Sequence, residues 1–175
     1  MAPVVLILAQ LDSRFAHRPF SPGETTLVTA TIAPESKELL NHLILEAPTA
    51  VVVETLPVRD HLKLTATWRI RVTAAGQHEL TLADPAGDRW TKRLVAGPSS
   101  LPRLAAARER AGWHHALLNP AESPLPKNSP VAQISLQLPP RQTHYLGIKL
   151  HWLLAFCAFS LLFGFALKDV FKVRI

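Results

Sequence analysis

Polar and apolar residues alternate through the middle of the chain, and at both ends the alternation gives way to unbroken apolar runs. The clearest alternation is LKLTATWRIRVT, Leu62–Thr73. Leu64, Ala66, Trp68, Ile70 and Val72 fall on one face, while Thr65, Thr67, Arg69 and Arg71 fall on the other. That period of two predicts a half-buried strand with Trp68 in the core. Similar short segments surround it. The turn Ser21-Pro22-Gly23-Glu24 precedes TTLVTATI, Thr25–Ile32, which is rich in β-branched residues. Leu43–Leu45 and Ala50–Leu56 are further strand candidates, separated by Ala47-Pro48-Thr49. Gln77–Ala83 and Arg89–Ala96 form an expected hairpin around Asp84-Pro85-Ala86-Gly87-Asp88, and Gly97-Pro98-Ser99-Ser100 closes the series. Short strands with turn signals about every ten residues predict a mainly β fold, an antiparallel sandwich, over residues 15–98.

The C-terminal run, IKLHWLLAFCAFSLLFGFAL from Ile148 to Leu167, reads as one transmembrane α-helix, with the span placed at 146–168. Twenty helical residues cover about 30 Å, the thickness of a bilayer's hydrocarbon core. Tyr145, Lys149, His151 and Trp152 are placed to meet the headgroups on one side, and Lys168, Lys172 and Arg174 on the other. Three basic residues in the tail 169–175 and its junction favour a cytoplasmic C-terminus, with Arg141 and Lys149 as the smaller count on the opposite flank. Small side chains at Ala155, Ala158, Ser160 and Gly164 would allow another helix to approach closely. The N-terminal run APVVLILAQL, within 1–14, is too short to span and lacks a signal peptide's basic start and cleavage site. Two readings stay open for it: a first strand, or the outer end of a transmembrane helix that begins upstream.

Residues 99–145 read as a connector. Leu101–Leu118 contains the helix-forming stretch RLAAARER, whose Arg103, Arg108 and Arg110, with Trp113, suit either a solvated helix packed on the sandwich or a helix resting on anionic headgroups. Six prolines between positions 120 and 140 then enforce extended chain, and Val131–Leu138 alternates like an added edge strand.

Composition sharpens this picture. Of 175 residues, 48% are apolar and 18% charged, which excludes a wholly disordered chain. A single cysteine, Cys157, excludes a disulfide scaffold. Residues 1–100 carry ten basic and ten acidic side chains, so the net charge of +6 comes from the nine basic and three acidic residues of 101–175. Placed around an apolar segment, that excess points to lipid headgroups rather than nucleic acid.

Candidate chemistry is sparse. His114-His115 lacks a third ligand at metal-binding spacing, Ser99-Ser100 lacks a nucleophile elbow, and Asp84 and Asp88 suit a turn better than a calcium site. No glycine-rich phosphate loop is present. No catalytic, metal or cofactor-binding residue and no small-molecule substrate is expected.

The pattern W-x-I-x-V (Trp68–Val72) followed by A-G-x-H-x-L-T-L (Ala75–Leu82) resembles bacterial immunoglobulin-like domains. QLDSRF and RPFSPGE near the start, with FGFALKDVFKVRI at the end, are similar to uncharacterised bacterial integral membrane proteins. In these an extracytoplasmic immunoglobulin-like domain precedes the last transmembrane helix, and the whole is loosely YidC-like. The resemblance implies earlier spans and offers no catalytic residues to transfer. The resulting expectation is a single-pass protein of the inner membrane with its β domain outside, a non-enzymatic binding or assembly module held in the lipid bilayer and joined to a membrane-protein partner. The alternative is an accessory subunit of a membrane enzyme, transporter or insertase acting through its transmembrane helix.

Overall fold

A computed structural model describes residues 2–98, 102–112, 121–141, 143–145, 148–150 and 152–168. The chain forms two compact units, 1–139 and 140–175.

The first unit opens with helix α1, Ala2–Phe15. Of the two readings of the N-terminal run, the strand is therefore set aside. Leu, Ala and Gln favour a helix, Pro3 sits in the first turn where its missing N–H is harmless, and the Ala16 amide bonds to Asp12 O at 3.0 Å to close the last turn.

Strands follow: β1 (Thr25–Ile32), β2 (Ile44–Glu46), β3 (Val51–Val53), β4 (Val58–Asp60), β5 (Thr65–Val72), β6 (Gly76–Ala83), β7 (Arg89–Ala96), β8 (Ala107–Glu109) and β9 (Val131–Leu136). A 3-10 segment, Pro34–Asn41, joins β1 to β2 and buries Leu40. All sheet pairings are antiparallel. The larger sheet runs β3-β5-β1-β9-β8 with β4 also beside β5, and the smaller runs β2-β6-β7. This is a mainly β unit of two antiparallel sheets, consistent with a sandwich.

Its core follows from side-chain parity. Val28 and Ala30 of β1 lie between Trp68 and Ala66 of β5 and Leu136 and Ile134 of β9, and Ile32 lies opposite Val131, all buried. Leu80, Leu82, Trp90 and Leu94 supply the other sheet's share of the same cluster. The outer face of the larger sheet is mostly polar, with Leu27, Val52 and Val58 exposed among its charged and hydroxyl side chains. Thr29 and Thr67 share a hydrogen bond of 3.1 Å, and Arg69 and Arg71 both pair with Glu54. Leu64 takes the left-handed conformation (φ 53°), which ends the β4–β5 turn and starts the regular strand at Thr65 rather than at Leu62. Gly97, at φ 95°, is required as glycine, since a Cβ there would lie 2.6 Å from that of Ala75.

The connector differs from expectation. RLAAARER does not form a helix among the described residues, because Ala107–Glu109 instead pairs with β9, Ala107 opposite Ser135. Ladder bonds and packing outweigh helix propensity, which is a few tenths of a kcal/mol per residue. Strand β9 is interior, between β1 and β8, rather than at the edge.

The second unit contains an antiparallel ribbon of β10 (Thr143–Tyr145) and β11 (Ile148–Leu150), then helix α2, Trp152–Lys168. The first three residues of the apolar run, Ile148–Leu150, are thus strand. Thr143, Tyr145 and Ile148 are residue types that fit a pleated ribbon, and an apolar run alone does not distinguish strand from helix. At 17 residues, α2 rises about 26 Å. No described helix is long and apolar enough to cross a membrane.

Candidate functional site

Two features stand apart from ordinary core and surface: the apolar circumference of α2, and a charged strap and cleft at the open edge of β7.

On α2, every residue from Leu153 to Phe165 is exposed except Ala155. Leu153, Leu154, Phe156, Phe159, Leu161, Leu162, Phe163 and Phe165 have 38–68% of their surface exposed, and they point in all directions around the axis. No ionisable side chain interrupts them apart from the exposed thiol of Cys157. Trp152, the first helical residue, is buried, as is Ala155 one turn later. Of the other small residues, Ala158, Ser160 and Gly164 are exposed, and a Cβ on Gly164 would meet nothing within 4 Å. Among the expected interface residues, Tyr145 ends β10, Lys149 lies in β11 opposite His144, and Lys168 ends α2. His151, Lys172 and Arg174 lie outside the described residues, as do His114, His115, Trp113, Ser99 and Ser100.

The second feature was not visible in the sequence pattern. β7 is an edge strand, and its backbone groups facing away from β6 are closed one after another. Arg108 Nη1 donates to Thr91 O at 2.5 Å, the Arg93 amide donates to Glu122 Oε1 at 2.8 Å, and the Phe20 amide donates to Val95 O at 3.1 Å. Such covering removes the template that an open edge offers to another chain. The same strap, Ala121–Ser123, is gripped by Arg93 on Ala121 O and by Arg108 Nε on Ser123 O at 2.8 Å.

Lys92 is the anchor. It points to the core side of β7 with Trp90 and Leu94, is 1% exposed, and donates to Ala105 O (2.8 Å) and Glu122 Oε2 (2.5 Å). Burial pushes its ammonium below the ordinary lysine range, and the Glu122 carboxylate opposes that shift. With two of the ammonium's three N–H groups and both carboxylate oxygens engaged, the pair is built to hold the strap rather than to exchange protons with a substrate. Parity along RWTKRLVA could have flagged a lysine on the inward face, but nothing in the sequence joins it to Glu122.

A cleft of about 450 Å³ opens beside the strap. It is lined by Asp88, Arg89, Trp90, Thr91, Arg108 and the 125–130 loop. A larger hollow of about 620 Å³, between Gly76, Val95, Pro98 and Pro102, has no charged side chain in its lining. Among the described residues, no group of three or more His, Cys, Asp or Glu could hold a metal. Asp84 and Asp88 do close a turn: Asp84 Oδ1 accepts from the Asp88 amide at 2.9 Å.

Comparison with protein-family models, with curated proteins and with solved structures finds no match.

Proposed function

We propose that this chain is a membrane-anchored binding or assembly module without enzymatic activity, part of a larger membrane complex. The sandwich is immunoglobulin-like and extracytoplasmic, α2 is a single-pass anchor, and the C-terminus is cytoplasmic. One observation carries this reading: α2 exposes large apolar side chains around its whole circumference. Moving eight such side chains from water into hydrocarbon is worth on the order of 10 kcal/mol, and soluble surfaces rarely display so much contiguous apolar area. The basic residues that follow, Lys168, Lys172 and Arg174, support the orientation. The covered edge of β7 suits a domain that meets partners in the envelope without self-association. The exposed Ser160 and Gly164, one turn apart, favour a second reading, an accessory subunit of a membrane enzyme, transporter or insertase that packs through α2.

Cys157 gives a direct test, since it is the chain's single thiol and lies mid-helix. In sealed vesicles a membrane-impermeant maleimide should leave it unlabelled, and detergent should expose it. Equal labelling before and after detergent removes the anchor. Replacing Leu154 and Leu161 together with Arg should release the chain on alkaline extraction; each charge costs about 2.5–3.5 kcal/mol at a helix centre. Retention of that double variant would count against the same reading. For orientation, Leu62→Cys at a 98%-exposed turn should label in spheroplasts from the outside. Labelling only after lysis reverses the topology.

A further inference from the structure

The charges that line the cleft beside the strap are not equivalent. Arg89 is neutralised by Glu46, with contacts of 2.9 and 3.3 Å. Arg108 is half-buried, and its acceptors, Ser123 O, Thr91 O and Thr91 Oγ1, are all neutral. Its charge has no counter-ion among the described residues. Asp88 also lines the cleft, and among the described residues its carboxylate has neither an ion pair nor a hydrogen bond; its backbone is engaged by Asp84, the amide donating to Asp84 Oδ1 and the carbonyl accepting from the Asp84 amide. Two opposite charges that face one hollow without meeting leave room for a ligand between them. Trp90 and Leu125 form an apolar floor, and Asn128 adds an amide at the rim.

We propose that this cleft binds a small dipolar ligand of the amino-acid or short-peptide class. The ligand's carboxylate pairs with the Arg108 guanidinium, its ammonium pairs with Asp88, and small apolar side chains lie over Trp90 and Leu125. With Nε and Nη1 of Arg108 already donating to Ser123 and Thr91, the ligand carboxylate is held by the remaining N–H groups of Nη2 and by the charge. The paired Arg89 and the lone Asp88 disfavour a polyanion, since the cleft's two uncompensated charges cancel. A volume of about 450 Å³ lies within the usual range for small-ligand sites. The proposal deepens the binding-module reading by naming a ligand class, and it stands or falls separately from membrane anchoring, which extraction and thiol labelling decide.

The test is titration of L-alanyl-L-alanine into the full-length chain in detergent micelles, followed by calorimetry or NMR. The N-acetylated and C-amidated dipeptides serve as comparisons. Saturable binding is expected for the free dipeptide, and capping either end should weaken it by roughly fivefold, the span of a partly exposed ion pair. Asp88→Asn keeps the turn, because the bond to Asp84 uses its backbone amide. In that variant the free and N-acetylated dipeptides should bind equally. Arg108→Met should weaken binding about as much as C-amidation does, and because it also loosens the strap, Arg108→Lys, which retains the charge, is the companion variant and should keep most of the binding. No saturable binding at millimolar dipeptide overturns the proposal. So does equal binding of the N-acetylated form to the native chain, or an unchanged free-dipeptide preference in Asp88→Asn.

Discussion

Trp68→Ala should lower the stability of the β unit by about 3–5 kcal/mol. Trp68 is 2% exposed, sits in mid-strand opposite Val28, and belongs to the cluster that both sheets build. Truncation removes the transfer energy of a large ring and leaves a void that flanking strands can only partly close. Domains of this size hold about 5–15 kcal/mol in total, so the variant would lose a large share of its margin. With about two to five degrees per kcal/mol, thermal unfolding should begin about 6–25 °C lower. Circular dichroism of the full-length chain in detergent reads this directly. Trp68→Phe, which refills much of the space, should recover more than half of the loss. Leu62→Ala, at a residue 98% exposed, should leave the melt unchanged within about 0.5 kcal/mol. Equal melts for Trp68→Ala and the native chain would remove Trp68 from the core.

The strand that holds Trp68 was legible because one period-two signal ran without conflict from Leu64 to Val72. The hairpin of β6 and β7 was legible for a related reason. Asp84, Gly87 and Asp88 carry local turn chemistry, seen in the Gly87 amide bonding to Asp84 O and the left-handed φ of 97° at Gly87. What failed was structure decided at long range. Ala107–Glu109 has a helical composition, and only its pairing with Ser135, Ile134 and Gln133 makes it a strand. Val58–Asp60 is three residues long and carries no period of its own; its place beside Thr65–Thr67 comes from the turn that Leu64 closes. The apolar run at Ile148 obeyed hydropathy but not helix geometry, because its first residues pair across to Thr143–Tyr145. The cleft was illegible for the same reason: Asp88, Arg108 and Asn128 are distant in sequence, and only the strap's course brings them to one hollow.

Removing one partner of the buried ion pair should cost as much as removing the tryptophan. Lys92→Met leaves the Glu122 carboxylate largely enclosed, at 11% side-chain exposure, with the Arg93 amide as its remaining donor in place of an ammonium. Breaking such a pair costs about 3–5 kcal/mol, whereas replacing both partners with groups that need no counter-charge is often neutral. Lys92→Met combined with Glu122→Gln should therefore regain most of the loss, because Gln keeps an acceptor for the Arg93 amide. The pair's coupling then appears as non-additivity in a double-mutant cycle, and simple additivity would mean that the two side chains act independently. Protons supply a second readout. Burial lowers the folded-state pKa of Lys92, with Glu122 opposing and Arg93 and Arg108 adding to the lowering, while the unfolded chain keeps the ordinary value of 10.5. Between those two values the unfolded state binds more protons, so this group makes stability rise with pH across that window. The difference in unfolding free energy between the native chain and Lys92→Met should accordingly grow in the native chain's favour toward pH 10.5. A difference that shrinks over the same range would mean that the strap holds Lys92 as a stabilised cation, and that Glu122 rather than burial governs its charge.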